Sequence, residues 1–320
     1  MEPRHPAFAD TDALLAAWGA GYALTAHQPP TGTINATLLL ETPAGAFVLR
    51  AYLRADAATI LREHRLIAHA AARGAPAVAP LPLPDGATFL ERAGLLYALF
   101  PRARGQQLAR GELGSAAATA MGRGLAELHA ALADAPFHLA RARSFEHDTP
   151  ATLATIARYL ELARGDDLLV RHLEGQRGYL EAGGDHGSSL DGLPRQVIHG
   201  DYTETNLFFA DGRVSAVIDW ENNYVAPRAW EVLRTLHLAF DFEPVRCQAF
   251  VAGYRECEPL TLDELDQAAA AYGQMRAHDL WIFEAVLVRG DPRPRRFLDP
   301  AGFRPVLPRW ATLRPLLPPS

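Results

Sequence analysis

The feature that most restricts what this chain can fold into is a change of hydrophobic period at Pro101. Upstream, Gly32 to Leu53 reads as two strands, Thr33-Ile-Asn-Ala-Thr-Leu-Leu-Leu-Glu and Phe47-Val-Leu-Arg-Ala-Tyr-Leu, joined by the glycine-containing turn Pro43-Ala-Gly-Ala. Ala55 to Arg73 is helical, with Ile60, Ile67 and Ala71 on one face and Gly74 placed to end it. A Pro-rich connector, Pro76 to Pro84, leads to two short apolar runs, Ala87 to Leu90 and Leu95 to Phe100, expected to pair antiparallel. Beyond Pro101 the period is helical: Met121, Leu125, Leu128 and Leu132 make an apolar stripe within Ser115 to Leu132. Further helices are expected at Ala151 to Arg164 and, as one long element, at Asp263 to Arg289, before a Pro-rich tail. Gly183 to Gly192 reads as an exposed loop. A short helix near Asp12 to Gly19 precedes the strands. The pattern predicts a two-lobed α+β fold, with a small antiparallel-sheet lobe over residues 1–101 and a larger, mainly helical lobe over 102–320.

One carboxylate breaks this pattern. Glu63 falls on the apolar face of its helix, and burying an unpaired charge costs several kcal/mol, so it either edges the stripe or meets a cation.

Composition narrows the chemistry. The 31 Lys plus Arg positions are all Arg. Schiff-base catalysis, a covalent pyridoxal phosphate site and the G-x-x-x-x-G-K-[ST] phosphate loop need an amine this chain lacks, so phosphate must be held by Arg, backbone or metal. A net charge of −6 argues against nucleic-acid and anionic-membrane partners. No apolar run reaches the roughly 18 residues of a membrane span. Ala13 to Ala23 is interrupted by two glycines and preceded by acids, unlike a secretory signal. Cys247 and Cys257 match no zinc or redox spacing and read as free thiols of a cytoplasmic protein.

The chemistry is concentrated in Val197-Ile-His-Gly-Asp-Tyr-Thr-Glu-Thr-Asn-Leu-Phe-Phe and Val214-Ser-Ala-Val-Ile-Asp-Trp, which flank a turn at Asp211-Gly212. A strand opens into a polar loop, and a hairpin returns the chain to Asp219, bringing it close to Asn206. Asp201, Asn206 and Asp219 are oxygen ligands of the kind that suit Mg²⁺. Asp, four residues, then Asn is also the arrangement of the protein-kinase catalytic loop.

With His199-Gly200-Asp201, Asn206 five residues on and Ile218-Asp219-Trp220 thirteen beyond that, the chain resembles the aminoglycoside phosphotransferase and choline kinase-like group, small-molecule kinases that share the protein-kinase fold. The resemblance implies ATP and Mg²⁺ as cofactors, Asp201 as the residue that orients and deprotonates an acceptor hydroxyl, and Asn206 and Asp219 as metal ligands. It places Arg50 on the α- and β-phosphates with Glu63 as its partner, and makes Gly32, Thr33 and Asn35 part of the turn covering the nucleotide. That turn lacks G-x-G-x-x-G, so cradling of phosphates by glycine backbone is not implied. Leu99, Phe100 and Pro101 resemble the hinge that binds adenine, Leu125 to His129 the helix after it, and Glu231 an acidic structural position. His199 is expected to orient the loop rather than transfer protons. Trp220 stands where protein kinases carry Phe-Gly, so no regulated activation segment is implied.

Two other readings compete. A two-metal hydrolase built on His199, Asp201 and Asp219 lacks any supporting His-x-His or His-Glu-x-x-His spacing. A nucleotide-binding pseudokinase would lack one of Asp201, Asn206 and Asp219, and all three are present. The acceptor, a small molecule bearing a hydroxyl, stays open: Glu221, Asn222, Asp279 and Glu284 suit a cationic acceptor or a solvated helix face, whereas Arg289, Arg293, Arg295 and Arg296 could meet an anion.

Overall fold

The computed structural model describes residues 5–29, 35–184, 190 and 192–319. Gly32 and Thr33, and 185–189 and 191 of the loop expected at Gly183 to Gly192, lie outside the described residues. After α1 (Thr11–Ala17), five strands form an antiparallel sheet: β1 (Thr25–His27), β2 (Ala36–Thr42), β3 (Gly45–Tyr52), β4 (Leu90–Arg92) and β5 (Leu95–Pro101), in the order β1-β2-β3-β5-β4. Alternation along β3 decides what faces the functional cleft. Leu49 and Ala51 join Phe8, Leu14 and Leu15 in the core under one face. Arg50 and Tyr52 point to the other face, which α2 (Ala57–Ala72) covers with Ile60. Asp56 caps α2 by accepting from the Thr59 amide at 2.8 Å.

The strand expected at Ala87 to Leu90 lies instead at Leu90–Arg92. Ala93 and Gly94 have φ of 52° and 75°, the two-residue turn that matches strand twist, and this pairs Arg92 with Leu95 and fixes the register. The short edge strand β1 carried too few residues to show alternation.

Below Pro101 come α3 (Ser115–Leu132), α4 (Thr149–Leu162) and α5 (Asp167–Glu181), then β6 (Arg195–Ile198), β7 (Leu207–Ala210), β8 (Arg213–Val217) and β9 (Tyr224–Pro227), with β6 paired to β9 and β7 to β8. The helices α6 (Arg228–Leu238), α7 (Pro244–Arg255) and α8 (Leu262–His278) complete the core around α3, whose four stripe residues are fully buried. Two glycines let α3 and α7 touch: a Cβ at Gly122 would lie 2.0 Å from the Phe250 carbonyl oxygen, and one at Gly253 2.3 Å from that of Thr119.

The single helix expected from Asp263 to Arg289 is broken at Asp279, whose backbone is extended. Its carboxylate accepts from Arg276 behind and from the Trp281 amide ahead, so it ends one helix and opens the next, α9 (Trp281–Phe283), which runs into a wide π turn at Glu284–Val288. In the Pro-rich tail, α10 (Val306–Leu313) packs on α8 through buried Trp310, which donates to Asp266 at 2.8 Å. Among the described residues no helix is long and apolar enough to cross a membrane.

Candidate active site

Strand β6 delivers the chain to His199, which is fully buried. Its Nδ1 accepts from the Asp201 amide (3.3 Å), so Nε2 carries the proton donated to the Ile218 carbonyl (3.0 Å), and its ring stands edge-on to Trp220. Gly200 has φ +82°, and a Cβ there would lie 2.1 Å from the Asn222 carbonyl oxygen, so only glycine fits this turn. Glu231, fully buried on α6, accepts from the amides of His199 (3.2 Å) and Gly200 (2.5 Å) and from His129 (2.9 Å) on α3; His129 also meets Tyr254.

This frame presents Asp201. Asn206 donates through Nδ2 to its backbone oxygen (2.9 Å) and to Oδ2 (3.1 Å), while Arg234 on α6 donates to Oδ1 at 2.8 Å. The β7–β8 hairpin turns at Asp211 and Gly212, both with positive φ, and returns Ile218 to donate to the Asn206 carbonyl at 3.0 Å. Asp219 follows in the left-handed region (φ 64°), a strained backbone for a non-glycine residue of the kind that collects at functional sites.

Across the cleft, Arg50 reaches three carboxylates: Asp219 at 3.0 Å, Glu221 at 3.4 Å and Glu63 at 3.7 Å. Burial works against its charge, but Tyr52 and the three acids more than offset that, and its pKa is raised. Glu63 is pushed up to about 7, chiefly by burial, against the pull of Arg50 and with the repulsion of Glu221 and Asp219. Glu221 is raised by burial and by Asp219, in spite of Arg50 and a 2.9 Å bond from Asn35. Buried Asn35 Oδ1 and Glu63 Oε1 have no hydrogen-bond partner among the described residues.

The raised carboxyl of Glu63 has a sign that can be measured. The folded protein keeps this proton where the unfolded chain, with a value near 4.5, has lost it. The group's contribution to stability is therefore complete below about 4.5 and declines as pH rises to about 7. Glu63→Gln cannot titrate. In urea unfolding, the stability of the variant relative to wild type is expected to improve by up to about 3 kcal/mol between pH 4 and pH 8; a pH-independent difference would show that Glu63 is ionised throughout.

The cleft of about 750 Å³ has an apolar end formed by Leu39, Val48 and Phe100 and a polar end holding Arg50, Asn206 and Asp219. This size and polarity suit a nucleotide. The donor set also fits Mg²⁺: Asn206 spends its nitrogen on Asp201, leaving its amide oxygen for a cation in the cleft that Asp219 also lines, and no group of three or more His, Cys, Asp or Glu competes among the described residues.

Several residues are placed other than expected. Leu99 faces the core under the sheet and its carbonyl accepts from Leu81 at 2.7 Å, so the cleft edge is formed by Phe100 and the Pro101 to Ala103 segment. Glu221 turns toward Arg50 and Asn35 at the nucleotide end. Asn222 is exposed, Asp279 is bound by Arg276 at 2.7 Å, and half-exposed Glu284 pairs with Arg289 at 3.1 Å. The basic cluster is largely neutralised, Arg293 by Asp291 and Arg295 by Asp166, with Arg296 lying over Phe297. Arg234 was not singled out from sequence. Its signal is the one that exposed Glu63: a charge between apolar residues, here Leu233 and Leu236, on a buried helix.

Two lobes closing on a cleft whose polar end gathers a guanidinium, an Asp–Asn loop and a strained Asp define a kinase of the protein-kinase-like fold. The model of the phosphotransferase enzyme family matches residues 25–294, and the chain belongs to that family. The homoserine kinase of Xanthobacter autotrophicus is 29% identical over 260 residues, covering 79% of this chain and 78% of that protein. That of Brucella anthropi is 30% identical over 246 residues, covering 73% and 71%. Among solved structures, an amicoumacin kinase in complex with AMP-PNP, Ca²⁺ and Ami shares the fold, with a TM-score of 0.65 and 14% identity over 98% of this chain and 97% of that one. The protein is an ATP-dependent small-molecule kinase, a phosphotransferase with an alcohol group as acceptor.

Proposed function

We propose that the chain transfers the γ-phosphoryl group of ATP to the hydroxyl of a small metabolite, with homoserine the first acceptor to test because the two relatives above are homoserine kinases. The observation that carries the reading is the grip on Asp201, with Arg234 on one carboxylate oxygen and on the other Asn206, which lines the cleft together with Arg50 and Asp219. Phosphoryl transfer through a loose transition state needs positioning and charge neutralisation above all. Asp201 accepts the hydroxyl proton as the oxygen attacks. Arg50, its planar fork steadied by Glu63, binds phosphate oxygens bidentately, a geometry that guanidinium suits. Asn206 and Asp219 would hold Mg²⁺, whose part is to neutralise phosphate charge. Phe100 and the Pro101 to Ala103 backbone would receive the base.

The test is ADP release with Mg²⁺-ATP across homoserine, amino alcohols, sugars and aminoglycosides. Turnover is expected with homoserine well above the water background. Nucleotide binding with no ADP formed on any acceptor would favour the pseudokinase reading.

A further inference from the structure

Asp201 separates two sides of the site. Its Oδ2 faces Asn206, a residue of the nucleotide cleft, and its Oδ1 faces Arg234, which is not in that cleft. Asp201 also lies outside that lining, and the two paired side chains keep about a fifth and a quarter of their surface exposed, so a ligand can reach the pair without entering the nucleotide cleft. A guanidinium has five N–H donors, and Arg234 has one hydrogen bond among the described residues; its Nε is buried without a partner. Nε is sealed from solvent, whereas Nη1 is neither hydrogen-bonded among the described residues nor sealed, which leaves an open guanidinium N–H beside the Asp201 carboxylate. The acids that would suit a cationic acceptor are otherwise engaged: Glu221 on Arg50 and Asn35, Asp279 on Arg276, Glu284 on Arg289. A second guanidinium, Arg143, lies 4.5 Å over the ring of Tyr224 and has no carboxylate partner among the described residues.

Resting on the kinase reading, we propose that Arg234 binds a carboxylate of the acceptor while holding Asp201, so that the substrate is a small hydroxy acid or hydroxy amino acid rather than an amino alcohol or an aminoglycoside. The planar fork allows both contacts at once: Nη2 on Asp201 and Nη1 on the acceptor.

L-homoserine and 3-aminopropan-1-ol differ by the carboxylate alone and separate the possibilities. Wild type is expected to favour homoserine in kcat/KM on the order of a hundredfold, the discrimination a charge-assisted hydrogen bond supplies. In Arg234→Gln that preference is expected to collapse toward unity, with Arg234→Lys intermediate. A variant that loses both acceptors in equal proportion would show that Arg234 only positions Asp201, and a wild-type preference for the amino alcohol would overturn the proposal outright. Should Arg234→Gln fail to fold, the Lys variant decides by the same ratio. Calorimetry with L-2-aminobutanoate, which has the carboxylate but no hydroxyl, keeps the two readings apart. Binding to wild type that Arg234→Gln loses, with no ADP formed on any acceptor, would leave the anion site standing and the kinase reading fallen. No binding to wild type would remove the anion site.

Discussion

Asp201→Asn is expected to lower turnover by about 10³-fold while ATP affinity stays within about twofold. The nucleotide contacts assigned to Arg50 and Phe100 do not pass through this carboxylate, and Asn206 keeps its second bond, to the Asp201 backbone oxygen, whereas acceptance of the hydroxyl proton does pass through it. A second effect follows from geometry. Asp201 takes one donor on each oxygen, Asn206 Nδ2 at 3.1 Å and Arg234 Nη2 at 2.8 Å. An amide at 201 has one acceptor end, so whichever way it turns it sets donor against donor on one side. If it keeps the Asn206 contact, Arg234 loses its partner, and stability is expected to fall by about 1–3 kcal/mol. Coupled ADP-release kinetics, nucleotide calorimetry and urea unfolding on the same preparation separate the effects. Turnover within tenfold of wild type would remove Asp201 from the role of base.

What could be read in the sequence follows from how local the signal is. Arg50 was legible through the family resemblance, and the fold supplies its physical reason: Leu49 and Ala51 face the core, so alternation along β3 turns Arg50 to the cleft. Glu63 was legible as a charge on an apolar stripe, and the Asn206 to Asp219 return was legible because Asp211-Gly212 accepts the positive φ a tight hairpin demands. The π turn and the break at Asp279 were not, since the apolar spacing runs on past it and the interruption depends on a side chain capping its own backbone. The helix α5 was missed because its polar face outweighs Leu169, Leu173 and Leu180, which become core only when α4 packs against them. Glu221 is the sharpest case. From the sequence it stands next to the metal-binding Asp and looks outward to the acceptor. In the fold it reaches Asn35, 186 residues away, and Arg50, 171 away, pairings that exist only once the lobes meet.

Glu231→Ala is expected to be the most destabilising single change at the site, by about 3–5 kcal/mol, lowering the unfolding midpoint by roughly 10 °C. The carboxylate is fully buried and takes three donors, the amides of His199 and Gly200 and the ring of His129, none of which can reach water when it is removed. Glu231→Gln should cost less, for a reason that separates the three donors. The amide oxygen can still satisfy one backbone N–H. His129 can move its proton to Nδ1 and accept from the amide, donating instead to the Tyr254 hydroxyl 2.8 Å away, which can itself accept. The other backbone N–H has no such freedom and faces an amide NH₂. Gln is therefore expected to lose about half as much as Ala in urea unfolding, and to lose turnover with it, because the two amides belong to the residues that present Asp201. A Gln variant as stable as wild type would mean that the loop is held from elsewhere, through the His199 to Ile218 bond and the packing of Gly200 on the Asn222 carbonyl.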